Sequence, residues 1–199
     1  MRGFHYVGSV PLIRDVLIVV AVIGTLAYEF EVSLPLLAKE TFGVGISGYA
    51  WLLAAFGSGS VVGGLFAAGW HTVKSRHLVI SLFLFGVSIL GASLAPTLGL
   101  AVAGMFVVGF FSINVTSQAN TTIQLASLPE MRGRVMALWT MAMVGSTAIG
   151  GPLIGLIGEY AGARSALATG GIAAFVAVGY AALTLLRKEE ARAAQNSKL

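Results

Sequence analysis

The sequence predicts an all-α membrane protein whose six transmembrane helices form two inverted three-helix repeats. Three observations carry this. Six apolar segments recur along the 199 residues, each near the ~20 residues that a helix needs to cross a ~30 Å hydrocarbon core. Only 10% of residues are charged and 57% are hydrophobic, with mean hydropathy +0.89, too little polar surface for a soluble domain. Six alternating crossings place Arg2, Arg14, Lys74, Arg76, Arg132, Arg134, Arg187, Lys188, Arg192 and Lys198 on one side, and only Lys39 and Arg164 on the other. That bias makes the first side cytoplasmic, with both termini inside. The expected location is the plasma (inner) membrane, as a multi-pass protein in contact with lipid.

Residues 1–15 read as a cytoplasmic interfacial lead-in, with Phe4, Tyr6, Val7 and Leu12 among Arg2, His5 and Arg14. The apolar stretch that follows is too long for the core of a signal peptide and carries two acids. Span one is expected over Val16–Leu37, and Lys39–Ser47 is an outer loop. Tyr49–Trp70 is span two, His71–His77 an inner loop, and Leu78–Ala95 span three. Pro96-Thr97 makes a tight outer turn before span four, Leu98–Thr122. Leu125–Arg134 is an inner loop, Val135–Ile157 span five, Glu159–Arg164 an outer loop and Ala166–Leu186 span six. The six-helix domain thus covers 16–187, and 188–199 is a charged, Ala-rich cytoplasmic tail. Three spans per repeat is an odd number, so the halves 15–95 and 97–187 run oppositely through the bilayer. Many secondary transporters share that plan and place their sites where the repeats meet.

Glu29 and Glu31 are the only acids expected inside a span. Glu29 lies roughly 20 Å into the bilayer from Val16 by helical rise. An acid there is costly unless it faces protein, water or a partner, which makes it a candidate for proton coupling or cation recognition. At i and i+2 on a helix the pair points about 200° apart, one toward a cavity and the other toward a neighbour or the outer surface. The alternative is that span one ends early and both acids are wet. Pro35 weakens the helix just beyond them.

Span four is polar in its inner half. Asn114 and Gln118 share a face at i,i+4, and Asn120 and Gln124 form a second such pair. Amides in a span either line an aqueous path or hydrogen-bond to adjacent helices. Glycines crowd spans two and five, including Gly63, Gly64, Gly150 and Gly151. Small residues at this spacing let helix backbones approach closely, and the helices could also slide or bend on them. Pro152 after Gly150-Gly151 is expected to add a bend. Arg132 and Arg134 flank Gly133 in the inner loop before span five, as topology anchors or as a cytoplasmic gate that pairs with acids or helix C-termini.

Several function classes are excluded. The pI near 9.7 comes from bases scattered over separate loops, with no basic cluster interleaved with aromatics, so nucleic-acid binding is not expected. Cysteine is absent, which removes thiolate metal sites and disulfides. Gly45-Ile46-Ser47-Gly48 matches the GxSG of rhomboid-type proteases, but His5, His71 and His77 all lie at the opposite side from Ser47, so no base reaches it. No phosphate-binding lysine loop or HExxH occurs. No enzyme activity, cofactor or metal is expected.

Leu34-Pro35-Leu36-Leu37-Ala38-Lys39, then Gly48-Tyr49 leading into the glycine-rich span, resembles the start of the C-terminal half of major facilitator superfamily transporters, in particular the branch of the enterobactin exporter and macrolide-efflux permeases. Gln124 followed by Pro129-Glu130-Met131-Arg132-Gly133-Arg134-Val135 resembles that branch's loop between helices ten and eleven. Gly3-Phe4-His5-Tyr6-Val7 with Pro11-Leu12-Ile13-Arg14 resembles the end of its central loop. The resemblance implies half of a major facilitator fold, acting in proton-coupled efflux of small amphipathic molecules such as drugs or siderophores, with an N-terminal six-helix half as partner in the same or a separate chain. Met1 would then be an internal methionine of a longer permease. A non-transporting membrane fragment, or a half-protein with a structural or interaction role, is the alternative. One departure stands out. Gly64-Leu65-Phe66-Ala67-Ala68-Gly69-Trp70-His71 occupies the place of the family's Gly-x-x-x-Asp-x-x-x-Gly-Arg motif without its aspartate.

Overall fold

A computed structural model describes residues 2–69 and 75–186. The tail 188–199 and most of the inner loop after span two fall outside the described residues. Among these residues the structure is helical, with no strand: α1 (Arg2–Ser9), α2 (Pro11–Leu26), α3 (Phe30–Leu36), α4 (Gly45–Ala68), α5 (Ser75–Ser93), α6 (Leu98–Ala126), α7 (Pro129–Thr140), α8 (Thr147–Ala161) and α9 (Ala163–Ala181). Short π-helical turns extend α3 (Leu37–Thr41), join α7 to α8 (Met141–Gly145) and extend α9 (Ala182–Leu186). Six helical stretches are long and apolar enough to cross a membrane: Pro11–Thr41, Gly45–Ala68, Ser75–Ser93, Leu98–Ala126, Pro129–Ala161 and Ala163–Leu186.

The helices are longer than expected and the loops shorter, because turn residues do their work within one or two positions. Leu125–Arg134 is not a loop. Only Ser127 and Leu128 leave the helix, and Pro129 opens α7 at a position where its fixed φ and missing N–H cost nothing. Gly43 and Gly45 take positive φ of 68° and 55° and Gly162 one of 87°, which lets α3 turn into α4 and α8 into α9. Thr97 accepts from Leu100 N at 3.4 Å to cap α6. His77 lies on α5, not in a loop.

Span one is the exception to helical continuity. Its helix opens at Ala27–Glu29 rather than at Pro35, which sits inside α3. Pro152 likewise lies inside α8 without interrupting it; the irregular turn of span five is Met141–Gly145, upstream.

Packing follows the inverted repeat. Span four packs on spans two and three as span one packs on spans five and six, while spans three and six meet each other and spans one and four meet each other. Exchanging one with four, two with five and three with six leaves that pattern unchanged. The core lies between spans one, three, four and six, where Ile23, Leu34, Phe85, Ile89, Met105 and Val115 are wholly or almost wholly buried. Spans two and five are the least covered, each with 22% of its apolar window buried.

Candidate functional site

The opening in span one follows from where its donors and acceptors go. Ala27 N and Tyr28 N both donate to Ile23 O, at 2.7 and 3.1 Å. The helix restarts on Glu29, whose carbonyl accepts from Val32 N (3.3 Å), Ser33 N (3.0 Å) and Ser33 Oγ (3.0 Å). Tyr28 fastens the opening to span four. Its hydroxyl donates to Ser112 O at 3.0 Å and also meets Thr116 Oγ1 at 2.9 Å and Ser112 Oγ at 3.1 Å. An interruption at membrane depth is tolerated only where the protein satisfies the freed groups in this way.

The Glu29 side chain, 4% exposed, lies against span five. A Cβ built on Gly150 would stand 2.6 Å from Glu29 Oε1 and 1.8 Å from Thr25 O; one on Gly151 would stand 3.5 Å from Glu29 Oε2. Thr147, at the start of α8, interacts with the same carboxyl group. Glu29 Oε1 is buried and has no hydrogen-bond partner. A carboxylate only accepts, whereas a carboxylic acid also donates, so protonation changes what this group can bond. Gly24 brings the two spans together from the other side, its would-be Cβ 2.9 Å from Ala142 O. Glu31, in the first turn of α3, is exposed. Because Glu29 precedes α3, helical angles do not relate the two acids.

The other sequence-predicted residues do not converge on this point. Asn114 is buried and donates to Phe110 O at 2.7 Å and Gly63 O at 3.4 Å. Gln118 donates to Ser81 Oγ on α5 at 2.9 Å, leaving its buried Oε1 without a partner. These two amides are thus turned to α4 and α5. Gln124 is exposed and donates to Asn120 on its own helix. Arg132 and Arg134 are exposed on α7, where Arg134 lies against Met131 Sδ at 3.5 Å. Gly63 sits at a backbone crossing, its would-be Cβ 2.5 Å from Phe110 O, whereas Gly64 has 3.8 Å to Ile113.

Asp15 corrects the reading that Glu29 and Glu31 are the only acids in a span. Because Pro11 starts the helix early, Asp15 falls within α2 and is 0% exposed. It pairs with Arg14 at 3.1 Å and accepts from Tyr180 OH at 3.3 Å. Pro11 at a first-turn position was the signal that could have placed it. Arg164, read as a loop residue, is a second surprise. Its guanidinium donates to Ser93 O (2.9 Å) and Ala95 O (2.7 Å) and lies 5.9 Å above the Phe42 ring, tying together the neighbouring ends of spans one, three and six.

The family model of the Major Facilitator Superfamily matches residues 16–198. The chain belongs to the major facilitator superfamily. No curated protein and no solved structure matches it, and nothing in these comparisons singles out a branch. Members of the superfamily are transporters rather than enzymes, so this facilitator domain is a multi-pass membrane transport protein.

Proposed function

We propose that this domain is the C-terminal half of a proton-coupled exporter of small amphipathic molecules such as drugs or siderophores, of the enterobactin-exporter and macrolide-efflux kind. It sits in the plasma (inner) membrane with the Arg132 side in the cytoplasm. An N-terminal six-helix half, in the same or a separate chain, covers the poorly buried spans two and five, and the two halves rock about a shared path. The observation that supports proton coupling is Glu29: a buried carboxyl, one oxygen unbonded, at a helix break against the glycines of span five. Protonation gives it a donor and removes a charge, which alters how spans one and five fit.

The test is Glu29→Gln in the chain reconstituted with its N-terminal half. Proton-gradient-driven export is expected to fall by at least about tenfold, as for loss of a proton-transfer group, while substrate exchange without a gradient persists. Wild-type export with wild-type pH dependence would remove Glu29 from the coupling. Orientation is checked separately: cysteines at Thr41 and Gly162 are expected to react with an impermeant thiol reagent from outside, and a cysteine at Ser75 not to.

A further inference from the structure

One departure from the inverted repeat lies between spans two and three. Span five packs directly on span six, where a methyl at Gly158 would already touch Ala166 at 3.6 Å. The equivalent pair, α4 and α5, has no close packing among the described residues. Between them, with α6 as floor, lies a crevice of about 300 Å³ lined by Phe66, Ile80, Leu84, Phe110, Phe111 and, toward the inner end, His77. Its walls are almost wholly apolar. The polar side chains at its floor are engaged within the protein: Asn114 donates to Phe110 O and Gly63 O, and Ser81 accepts from Gln118. Phe66 on α4 and Ile80 on α5, 51% and 45% exposed, leave it open on one side, and Ile80 lies on span three, outside the spans that an N-terminal half would cover.

Charge in the sequence that forms the crevice is one-sided. Between Glu40 and Glu130 the chain contains no Asp or Glu, and its only Lys and Arg are Lys74 and Arg76. Arg76 is exposed at the start of α5, next to His77. From His77 to Leu84 the crevice runs roughly 10 Å along α5 by helical rise. A narrow apolar slot whose lining residue His77 follows the exposed Arg76 in sequence, with no acid in the stretch that forms it, matches an acyl chain attached to an anionic headgroup.

We propose that the crevice between α4, α5 and α6 binds one acyl chain of an anionic phospholipid, its phosphate held by Arg76. This site lies away from Glu29 and is independent of transport. Photoactivatable phosphatidylglycerol and phosphatidylcholine, each diluted into phosphatidylcholine nanodiscs holding the full chain, are the probes. Adducts are expected on residues 77–84 and 110–114 well above those on the lipid-exposed Ile172 and Val176 of α9, and to be greater for phosphatidylglycerol. Arg76→Gln is expected to lower that preference about fivefold, the worth of one basic residue at an anionic surface. Filling the slot with Ser81→Phe, or with Leu84→Trp should the first variant fail to fold, is expected to bring labelling down to the α9 level. Equal labelling of crevice and α9, or equal labelling by the two lipids, would overturn the proposal.

Discussion

Two crossings in this molecule occupy equivalent places in the inverted repeat and are built from opposite materials. Where α4 crosses α6, Gly59, Gly63 and Gly109 bring two unbroken helices into backbone contact; a Cβ on Gly59 would stand 1.9 Å from Phe106 O, and one on Gly109 2.0 Å from Phe56 O. Where span one crosses span five, Gly24 and Gly150 do the same, but α2 ends beside the contact and a π turn precedes α8. The same 85-residue step relates Gly24 to Gly109 and Glu29 to Asn114. Asn114 lies against Gly63 with its amide donating to two carbonyls; Glu29 lies against Gly150 with an oxygen that bonds nothing. One crossing holds a fixed pin and the other a group whose bonding changes with a proton. The repeat supplies the geometry, and the exchange of amide for acid sets the side-chain chemistry of the two crossings apart.

The largest effect is expected where two intact helices leave no room. Gly59→Ala and Gly109→Ala should each cost about 2–3 kcal/mol, the upper range for overpacking, read as a fall in thermal or denaturant stability of the purified chain. Gly150→Ala places its Cβ just as close to a carbonyl, 1.8 Å from Thr25 O. That carbonyl belongs to the last turn before a break, so the backbone can yield, and about half the cost is expected. Equal losses at Gly59 and Gly150 would show that the broken crossing is as rigid as the intact one.

Next in size is the pin. Asn114→Leu removes two hydrogen bonds inside a bilayer, where such bonds are worth about 0.6 kcal/mol on average and at most ~1.7; a loss near 1 kcal/mol is expected. Glu29→Gln, at the matching position, is expected to change stability by less than that, since the buried Oε1 has no bond to lose. If Glu29→Gln proves the costlier of the two, the acid is a structural element.

Much of this was legible in the sequence, for reasons that differ by feature. Six spans and their order follow from segment length and the distribution of Lys and Arg, which the bilayer enforces residue by residue. Individual boundaries do not, because Pro11 and Pro129 start helices well before the apolar runs begin and carry Asp15, Arg132 and Arg134 into regular structure. The glycines of spans two and five announced close packing. Which of each adjacent pair makes the contact depends on helix rotation, which one sequence does not fix. The break at Ala27–Glu29 had no proline to mark it; it rests on Tyr28 reaching Ser112 and Thr116, 84 and 88 residues away. The offset between the repeats also escaped inspection, since the matched pairs are glycines among many glycines and an acid against an amide.

The smallest expected effect tests that rotation directly. Gly64 and Gly151 each stand one residue from a contact glycine, a turn of about 100° around the helix. A methyl at Gly64 would find Ile113 at 3.8 Å, and one at Gly151 would find Glu29 Oε2 at 3.5 Å and Val32 at 3.9 Å. These are ordinary van der Waals separations, so neither crossing has to open. Alanine also has the better helix propensity, by up to about 1 kcal/mol, which offsets the small loss of freedom around each methyl. Gly64→Ala and Gly151→Ala are therefore expected to leave stability within about 0.5 kcal/mol of the parent, as substitutions away from tight contacts usually do. Losses like those at Gly59 would mean that the helices are rotated from the positions described and that the glycine stripes pack as a whole. A normal stability for Gly151→Ala with altered proton-driven export would instead mark the space beside the Glu29 carboxyl as working volume rather than packing, since the equivalent methyl at Gly64 meets only a hydrocarbon side chain.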